Sequence, residues 1–97
     1  MEFELQDSPV FRRQLDGLSD KAKRQLETKL ILAKKNPFRN KRIHGFPLVL
    51  FRIRLEDNGL ALRIIYTIDV KIQAIKLICI LDRRKDYKDL ENNLRNM

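Results

Sequence analysis

An Asn-Gly pair between two runs of strand-forming residues is the feature that most restricts how this chain can fold. Residues 48–55 and 60–68 are rich in Leu, Ile, Val and Phe, and Asn58-Gly59 lies in the short segment between them. Both central residues of a type I′ turn need a positive φ angle, which asparagine and glycine adopt at low cost. The pattern therefore predicts a β-hairpin with a two-residue loop at Asn58-Gly59.

The hairpin also predicts which side chains share a face of the sheet. With a two-residue loop, Asp57 lies opposite Leu60, and counting back along both strands places Arg54 opposite Arg63. Arg52 lies on the same face, because side chains alternate between faces with a period of two. Like charges directly opposite each other destabilise a sheet. A fold that keeps this cluster is therefore predicted to bind an anion there.

The residues before the hairpin predict a strand followed by two helices. Residues 2–6 alternate loosely between apolar and polar and fit a first strand. Ser8-Pro9 supplies an N-cap followed by a proline at the first helical position. A second helix begins at Ser19 or Asp20 and carries apolar side chains at helical spacing as far as about residue 35.

The remaining residues complete the predicted fold. Residues 37–47 have the composition of a loop, a third strand at about 72–81 follows the hairpin, and helical periodicity then returns with an apolar stripe that includes Leu90 and Leu94. We predict one domain, residues 1–97, of the α+β class with the order β-α-α-β-β-β-α. A small antiparallel sheet carries an N-terminal helical hairpin on one face, and a C-terminal helix ends the chain.

Alternation along the strands predicts one apolar face and one mixed face. The apolar face should pack on the helices and carries Phe51, Ile53, Leu55, Leu62, Ile64, Tyr66, Ile78 and Ile80. The mixed face, expected to be uncovered, carries the three arginines at one end and, at the other, Leu50, Ile65, Ile75, Leu77, Cys79 and Leu81. If the same alternation continues along the third strand, the Arg83 side chain lies on the mixed face too. A register shift of one residue would reverse these assignments.

The net charge of +8 is concentrated in the middle of the chain. Residues 34–63 carry eight basic and two acidic side chains, whereas residues 1–33 carry six of each. A concentrated basic surface indicates a polyanion such as nucleic acid; the alternatives are an acidic protein partner or a merely solvated surface. The basic side chains expected to bind RNA are Lys34, Lys35, Arg39, Lys41, Arg42 and Arg84.

Composition argues against several other classes of protein. No apolar run has the length of a membrane span, and the N-terminus lacks the pattern of a signal peptide. We therefore expect a soluble, cytoplasmic protein without a membrane partner. One cysteine and one histidine are too few for a structural zinc site, so no metal or cofactor is expected, and Cys79 fits a buried structural thiol.

The arginine cluster has the chemistry of a phosphate site. Guanidinium groups match phosphate oxygens with two parallel hydrogen bonds, and preorganised cations stabilise negative charge that develops at phosphorus. The cluster lacks the paired carboxylates of a hydrolase that activates water. A substrate that brings its own nucleophile, such as the 2′-hydroxyl of RNA, would need little else. Tyr87 either stacks on a base, bonds to phosphate or simply packs.

Four short motifs in this order resemble the RelE/ParE toxin superfamily, and its RelE branch in particular. They are Gly45-Phe46-Pro47, Phe51-Arg52-Ile53-Arg54-Leu55, Leu62-Arg63-Ile64-Ile65-Tyr66 and Arg83-Arg84-Lys85-Asp86-Tyr87. The resemblance implies a toxin of a type II toxin–antitoxin pair that enters the ribosomal A site and cuts mRNA without a metal, leaving a 2′,3′-cyclic phosphate. It also implies a RelB-like antitoxin partner, through which alone the toxin contacts operator DNA.

The resemblance also implies roles for individual residues. Arg52 and Arg54 match the paired basic residues of the second strand, which are commonly lysines in this family. Arg63 matches the arginine that holds the scissile phosphate. Arg83 matches a late arginine assigned to leaving-group protonation or charge stabilisation, and Tyr87 the tyrosine that orients the substrate. Arginine is essentially never neutral in proteins, so proton removal from the 2′-hydroxyl is left to solvent or the ribosome.

Two other functions remain open on the same residues. One is inhibition of DNA gyrase by a ParE-like toxin, whose family generally lacks the arginine and tyrosine set. The other is a module that binds RNA or the ribosome without cutting the message.

Overall fold

Five strands and two helices form the part of the chain that the computed structural model describes, residues 2–82, 84, 90 and 94. Leu90 and Leu94 are also helical. The strand order in the sheet is β1-β5-β4-β3-β2. The elements are β1 Glu4–Asp7, α1 Pro9–Asp16, α2 Asp20–Lys35, a 3-10 turn Pro37–Arg39, β2 Lys41–Ile43, β3 Leu50–Asp57, β4 Leu60–Asp69 and β5 Ala74–Asp82.

The predicted α+β class is confirmed, and the elements follow in the predicted order as far as β5. The predicted C-terminal helix lies outside the described residues except at Leu90 and Leu94. The sheet itself differs from the prediction in two respects. It is mixed, because β1 pairs parallel to β5 with Glu4 beside Ala74. It also contains β2, which pairs antiparallel with the start of β3 inside the stretch predicted to be a loop. β2 has three residues, and Ile43 alone among them is buried. Three residues are too few to show the alternation of apolar and polar side chains that indicates a strand.

Both helices begin at the residues that the sequence predicts. The Ser8 hydroxyl accepts a hydrogen bond from the Phe11 amide at 3.0 Å, and the Ser19 hydroxyl accepts one from the Ala22 amide at 3.1 Å. The Asp57 carboxylate, next to the hairpin turn, accepts a further hydrogen bond from the Ser19 amide at 3.2 Å. The start of α2 is therefore tied to the end of β3.

The hairpin turn and its register are confirmed. Asn58 and Gly59 have φ angles of 50° and 82°, as a type I′ turn requires. Asp57 pairs with Leu60, and counting from the turn brings Arg54 opposite Arg63. Because hydrogen-bonded and non-hydrogen-bonded pairs alternate, these two arginines form a non-hydrogen-bonded pair, the kind whose side chains lie closest together.

A β-bulge in β5 changes the predicted parity of that strand. Ile65 pairs with Cys79, but the next residue, Tyr66, pairs with Leu77, so that Ile78 is the extra residue. The bulge leaves Cys79 on the mixed face as predicted. Before the bulge, Lys76 lies opposite Thr67 on the mixed face, whereas unbroken alternation would place it on the helix-covered face, so Lys76 is the polar residue that indicates the shift.

The bulge makes three of the predicted face assignments in β5 wrong, and the other three, which include Cys79, are confirmed. Ile75 and Leu77 lie in the apolar cluster under the helices, with Phe11 and Leu26, rather than on the mixed face. Ile78 lies in the opposite cluster, where it was not expected. Ile80 and Leu81 lie on the faces that the sequence predicts.

The mixed face was predicted to be uncovered, and its apolar end is in fact covered. Leu90 is fully buried there against Leu50, Ile65 and their neighbours, and Leu94 packs on the same cluster together with Phe46. Leu90 and Leu94 belong to the apolar cluster and do not cover the basic end. The face therefore divides into a packed apolar half and a basic half.

Side chains of α1 continue the hydrogen bonding of β5 beyond the end of β1. The Ser8 hydroxyl donates to the Ile78 carbonyl at 2.5 Å. The Gln14 carboxamide donates to the Ile80 carbonyl at 2.9 Å and accepts from the Ile80 amide at 2.6 Å. Gln14 thus replaces a neighbouring strand and satisfies both backbone groups of Ile80.

Replacing Gln14 with alanine is expected to lower the free energy of unfolding by about 2 kcal/mol, because both Ile80 backbone groups lose their partner. Urea unfolding followed by circular dichroism measures the change. Gln25→Ala is the matched control: Gln25 is exposed on α2, so its loss should cost less than about 0.5 kcal/mol. Equal costs for the two variants would contradict the role given to Gln14.

Candidate nucleic-acid interface

Two rows of side chains cross the basic half of the mixed face. In the first row, nearer the hairpin turn, Arg54 lies opposite Arg63, which lies opposite Leu81. Directly opposed residues of paired strands point to the same face. Two guanidinium groups therefore stand side by side next to a buried leucine.

The second row adds a cation that the sequence did not place in the cluster. Lys41 of β2 lies opposite Arg52 of β3, which lies opposite Ile65 and then Cys79. Lys41 was expected to bind RNA, but from a loop without a defined position. The missing information was the pairing of β2, which joins Lys41 to the arginines.

An acidic side chain of the described residues also lies on this face. Glu56, opposite Ala61, shares the face and lies between the arginines and the turn. The ion pairs within the described residues are Lys76–Asp69 and Arg84–Asp82, and neither involves Arg52 or Arg54. Opposed like charges on adjacent strands repel each other, and an anion bound between them would relieve that repulsion.

The apolar half of the face increases the effect of these charges. Arg52 and Arg63 are half-buried, whereas Arg54 is exposed. Leu81 and Cys79, the last members of the two rows, are buried in the same apolar cluster as Leu90. Charges that lie against a low-dielectric wall interact with an anion more strongly than charges surrounded by water.

Asp82 and Arg84 form a separate pair at the end of β5. Asp82 lies opposite Leu62, a residue that packs on the cluster under the helices. Its carboxylate accepts hydrogen bonds from the Arg84 guanidinium, the shortest at 2.7 Å, and from the Arg84 amide at 2.9 Å. The hydrogen bonds first, and the negative charge second, raise the pKa of Arg84 above its usual value. Arg84, expected to bind RNA, is thus engaged by a carboxylate.

The other residues expected to bind RNA belong to other parts of the fold. Lys34 and Lys35 occupy the last turn of α2, and Arg39 is exposed at the end of the 3-10 turn. Arg42 lies opposite Phe51, on the helix side of the sheet. Arg83 and Tyr87, expected in the site, lie outside the described residues. The pairing of β2 therefore brings Lys41 to the arginines and places Arg42 on the opposite face of the sheet.

Tyr66 holds the segment that leads into β2. Its ring is buried and stacks on Phe51 with centroids 5.5 Å apart. Its hydroxyl donates to the Pro37 carbonyl at 2.6 Å and accepts from the Asn40 carboxamide at 2.9 Å. Because Asn40 immediately precedes Lys41, this anchor helps to fix the cation that faces Arg52.

Replacing Tyr66 with phenylalanine is expected to cost about 1–3 kcal/mol of stability, because a buried carbonyl loses its donor. Burial raises the pKa of the Tyr66 hydroxyl above its ordinary value of 10.0, while the hydrogen bond from Asn40 opposes this. The folded state thus favours the neutral phenol. The resulting contribution to the free energy of unfolding is fully present below about pH 10 and is lost as the pH rises above that value. The free energy of unfolding of the wild type should therefore fall more steeply above about pH 10 than that of Tyr66→Phe. Parallel pH profiles would contradict this.

Comparison with known proteins finds similarity in structure rather than in sequence. No family model and no curated protein sequence matches the chain. A double arginine-to-alanine variant of the Escherichia coli toxin RelE, in the free state, superposes with a TM-score of 0.78 over 100% of this chain and 99% of that chain, at 17% identity. This chain has the RelE toxin fold.

Two toxin–antitoxin complexes share the RelE fold with this chain. One is the intact E. coli RelBE complex, with a TM-score of 0.69 over 80% of this chain and 93% of that chain at 21% identity. The other is the archaeal RelE–RelB complex of Pyrococcus horikoshii OT3, with a TM-score of 0.66 over 89% and 100% of the two chains at 16% identity. The fold that the sequence motifs implied is therefore confirmed.

Proposed function

We propose that this protein is the toxin of a type II toxin–antitoxin pair and inhibits translation by cutting mRNA in the ribosomal A site. The observation that carries the proposal is the pairing of Arg54 with Arg63 beside Arg52 and Lys41 on one face of a RelE fold. In this proposal the four cations bind the phosphate backbone of the message. The protein acts as a metal-independent endoribonuclease in the cytoplasm.

In the proposed reaction, the message supplies the nucleophile. The 2′-oxygen attacks the neighbouring phosphorus, the O2′–P bond forms, and the P–O5′ bond breaks to give a 2′,3′-cyclic phosphate and a free 5′-hydroxyl. Negative charge accumulates on the non-bridging oxygens in the transition state, where fixed guanidinium groups stabilise it. Arg63 and Arg54 are the residues assigned to this task, with Arg52 beside them.

Proton transfer is assigned to other groups. Arginine is charged at all ordinary pH values, so Arg52, Arg54 and Arg63 cannot accept the proton of the 2′-hydroxyl. Solvent or the ribosome accepts it, while the arginines stabilise the oxyanion that remains. The departing 5′-oxygen takes up a proton from solvent or the ribosome, and Arg83 stabilises its charge in the role predicted at the leaving group. Tyr87 keeps its predicted role in substrate orientation.

The proposed partner is a small RelB-like antitoxin. Two solved structures with this fold are complexes of RelE with RelB, which supports such a partner here. An acidic antitoxin segment would neutralise Arg52, Arg54 and Arg63 and so compete with the message. Contact with operator DNA would come through the antitoxin.

The test is cleavage of defined messages on purified ribosomes, with the new 5′ ends mapped by primer extension. We expect cuts within the A-site codon, a cyclic phosphate on the upstream fragment, and no cut when the scissile nucleotide carries a 2′-deoxyribose. Absence of A-site cuts with the ribose message would refute the nuclease proposal. Binding to ribosomes without cutting would indicate a non-cleaving module, and inhibition of gyrase supercoiling would indicate a ParE-like toxin.

A further inference from the structure

A groove of about 470 Å³ lies between α2 and the β3–β4 hairpin. Gln25 and Lys29 line it from the helix. The hairpin contributes Arg54, Glu56 and Arg63, with Leu55 and Leu62 as an apolar wall. Two residues of the arginine cluster therefore also belong to a second concave surface, at the border of the sheet.

The groove follows an unpaired stretch of strand. β2 pairs with β3 only from Leu50 to Arg52, so in the described part of the chain the outer edge of β3 is open beyond that point. The Lys29 ammonium group donates to the Arg54 carbonyl at 2.5 Å across this edge. Lys29 thus brings a further positive charge to the residue that stands opposite Arg63.

The groove lining suits a ribonucleotide. It contains three cations and one carboxylate, so its net charge favours a phosphate. Gln25 offers a carboxamide that both donates and accepts hydrogen bonds, and the leucines offer an apolar surface to a sugar or base. Its volume lies within the range of about 300–1,000 Å³ that small-molecule sites occupy.

We propose that this groove is a second nucleotide subsite, which holds the phosphate and ribose of the nucleotide next to the scissile linkage. Lys29 contacts the adjacent phosphate, and Gln25 bonds to the sugar or base. The single strand then passes from the arginine face around the edge of β3 toward α2. The subsite rests on the proposed function, because it extends the same RNA path.

Direct binding of a short single-stranded oligonucleotide tests the subsite separately from cleavage. The probe is a fluorescein-labelled tetranucleotide with a 2′-deoxyribose at each position, which cannot be cleaved by this route, and anisotropy gives its Kd at several salt concentrations. Lys29→Met should weaken binding about two- to fivefold. It should also reduce the salt slope by about 0.7, the value for one phosphate contact on a single strand. Gln25→Ala should weaken binding without changing that slope.

Arg24→Met is the matched control, because Arg24 is exposed on the same helix and does not line the groove. It should leave both Kd and salt slope close to those of the wild type. A dinucleotide with one phosphate should bind wild type and Lys29→Met alike. Circular dichroism confirms that each variant is folded. If Lys29→Met does not fold, Gln25→Ala still tests the groove.

The outcomes separate the subsite from the proposed function. If Arg63→Ala weakens tetranucleotide binding while Lys29→Met and Gln25→Ala behave like Arg24→Met, the subsite is refuted and the arginine face stands. The subsite is also refuted if the wild type does not bind the tetranucleotide. That result leaves the proposed function open, because cleavage on ribosomes tests it. Loss of binding in Lys29→Met with the expected change in salt slope supports it.

Discussion

Replacing Arg63 with alanine is expected to slow A-site cleavage by roughly 30-fold to 1,000-fold, which corresponds to about 2–4 kcal/mol of lost transition-state stabilisation. Arg63 is half-buried and stands opposite Arg54, beside the buried Leu81. A cation held in this position can stabilise charge that appears only as the 2′-oxygen attacks. The loss should therefore fall mainly on kcat under saturating ribosomes.

Two further variants make the Arg63 prediction specific. Arg63→Lys keeps the charge and loses the planar fork, so its rate should lie between those of the wild type and Arg63→Ala. Arg12→Ala removes an exposed arginine of α1 and should leave the rate within about twofold of the wild type. Thermal unfolding of each variant distinguishes a catalytic loss from a loss of folded protein. Unchanged cutting by a folded Arg63→Ala variant would remove the basis of the proposed mechanism.

The arginine cluster could be predicted because its geometry is local. Asn58-Gly59 fixes a two-residue loop, and the loop fixes the register of β3 against β4 without reference to the rest of the chain. The pairing of Arg54 with Arg63 follows from that count. Ser8 and Ser19 were predictable for the same reason, since a cap acts on residues three positions away.

The features that the sequence did not predict depend on contacts between distant segments. Lys41 joins the site only because a three-residue strand pairs with β3. The bulge at Ile78 occurs in a mostly apolar strand that has a packed cluster on each face, where Lys76 is the polar residue whose face the bulge changes. Lys29 reaches the Arg54 carbonyl across 25 positions of sequence, which no motif records.

The covered half of the mixed face connects stability to partner binding. Leu90 is fully buried against Leu50, Ile65 and Leu81, next to the row that carries Arg54 and Arg63. An antitoxin segment that covers the arginines and continues across this face would meet Leu90. It would then either bind on top of Leu90 or replace it in the apolar cluster.

Replacing Leu90 with alanine is expected to lower the free energy of unfolding by about 3 kcal/mol, through lost burial and the cavity that remains. Urea unfolding measures the change. Leu60→Ala is the matched control, because Leu60 is 37% exposed next to the hairpin turn and should cost less than about 1 kcal/mol. A cost for Leu90→Ala as small as that of Leu60→Ala would show that Leu90 is not held in this cluster in solution.

The same variant distinguishes the two modes of partner binding. If the antitoxin replaces Leu90, the wild type must first give up the burial of that side chain, and Leu90→Ala removes much of this cost. By reciprocity of coupled equilibria, the variant should then bind the antitoxin more tightly, by up to about 100-fold for 3 kcal/mol. If the antitoxin binds on top of Leu90, its Kd should stay the same or rise. Titration calorimetry of the two toxins with one antitoxin therefore shows whether the apolar half of this face is exchanged or retained when the arginines are covered.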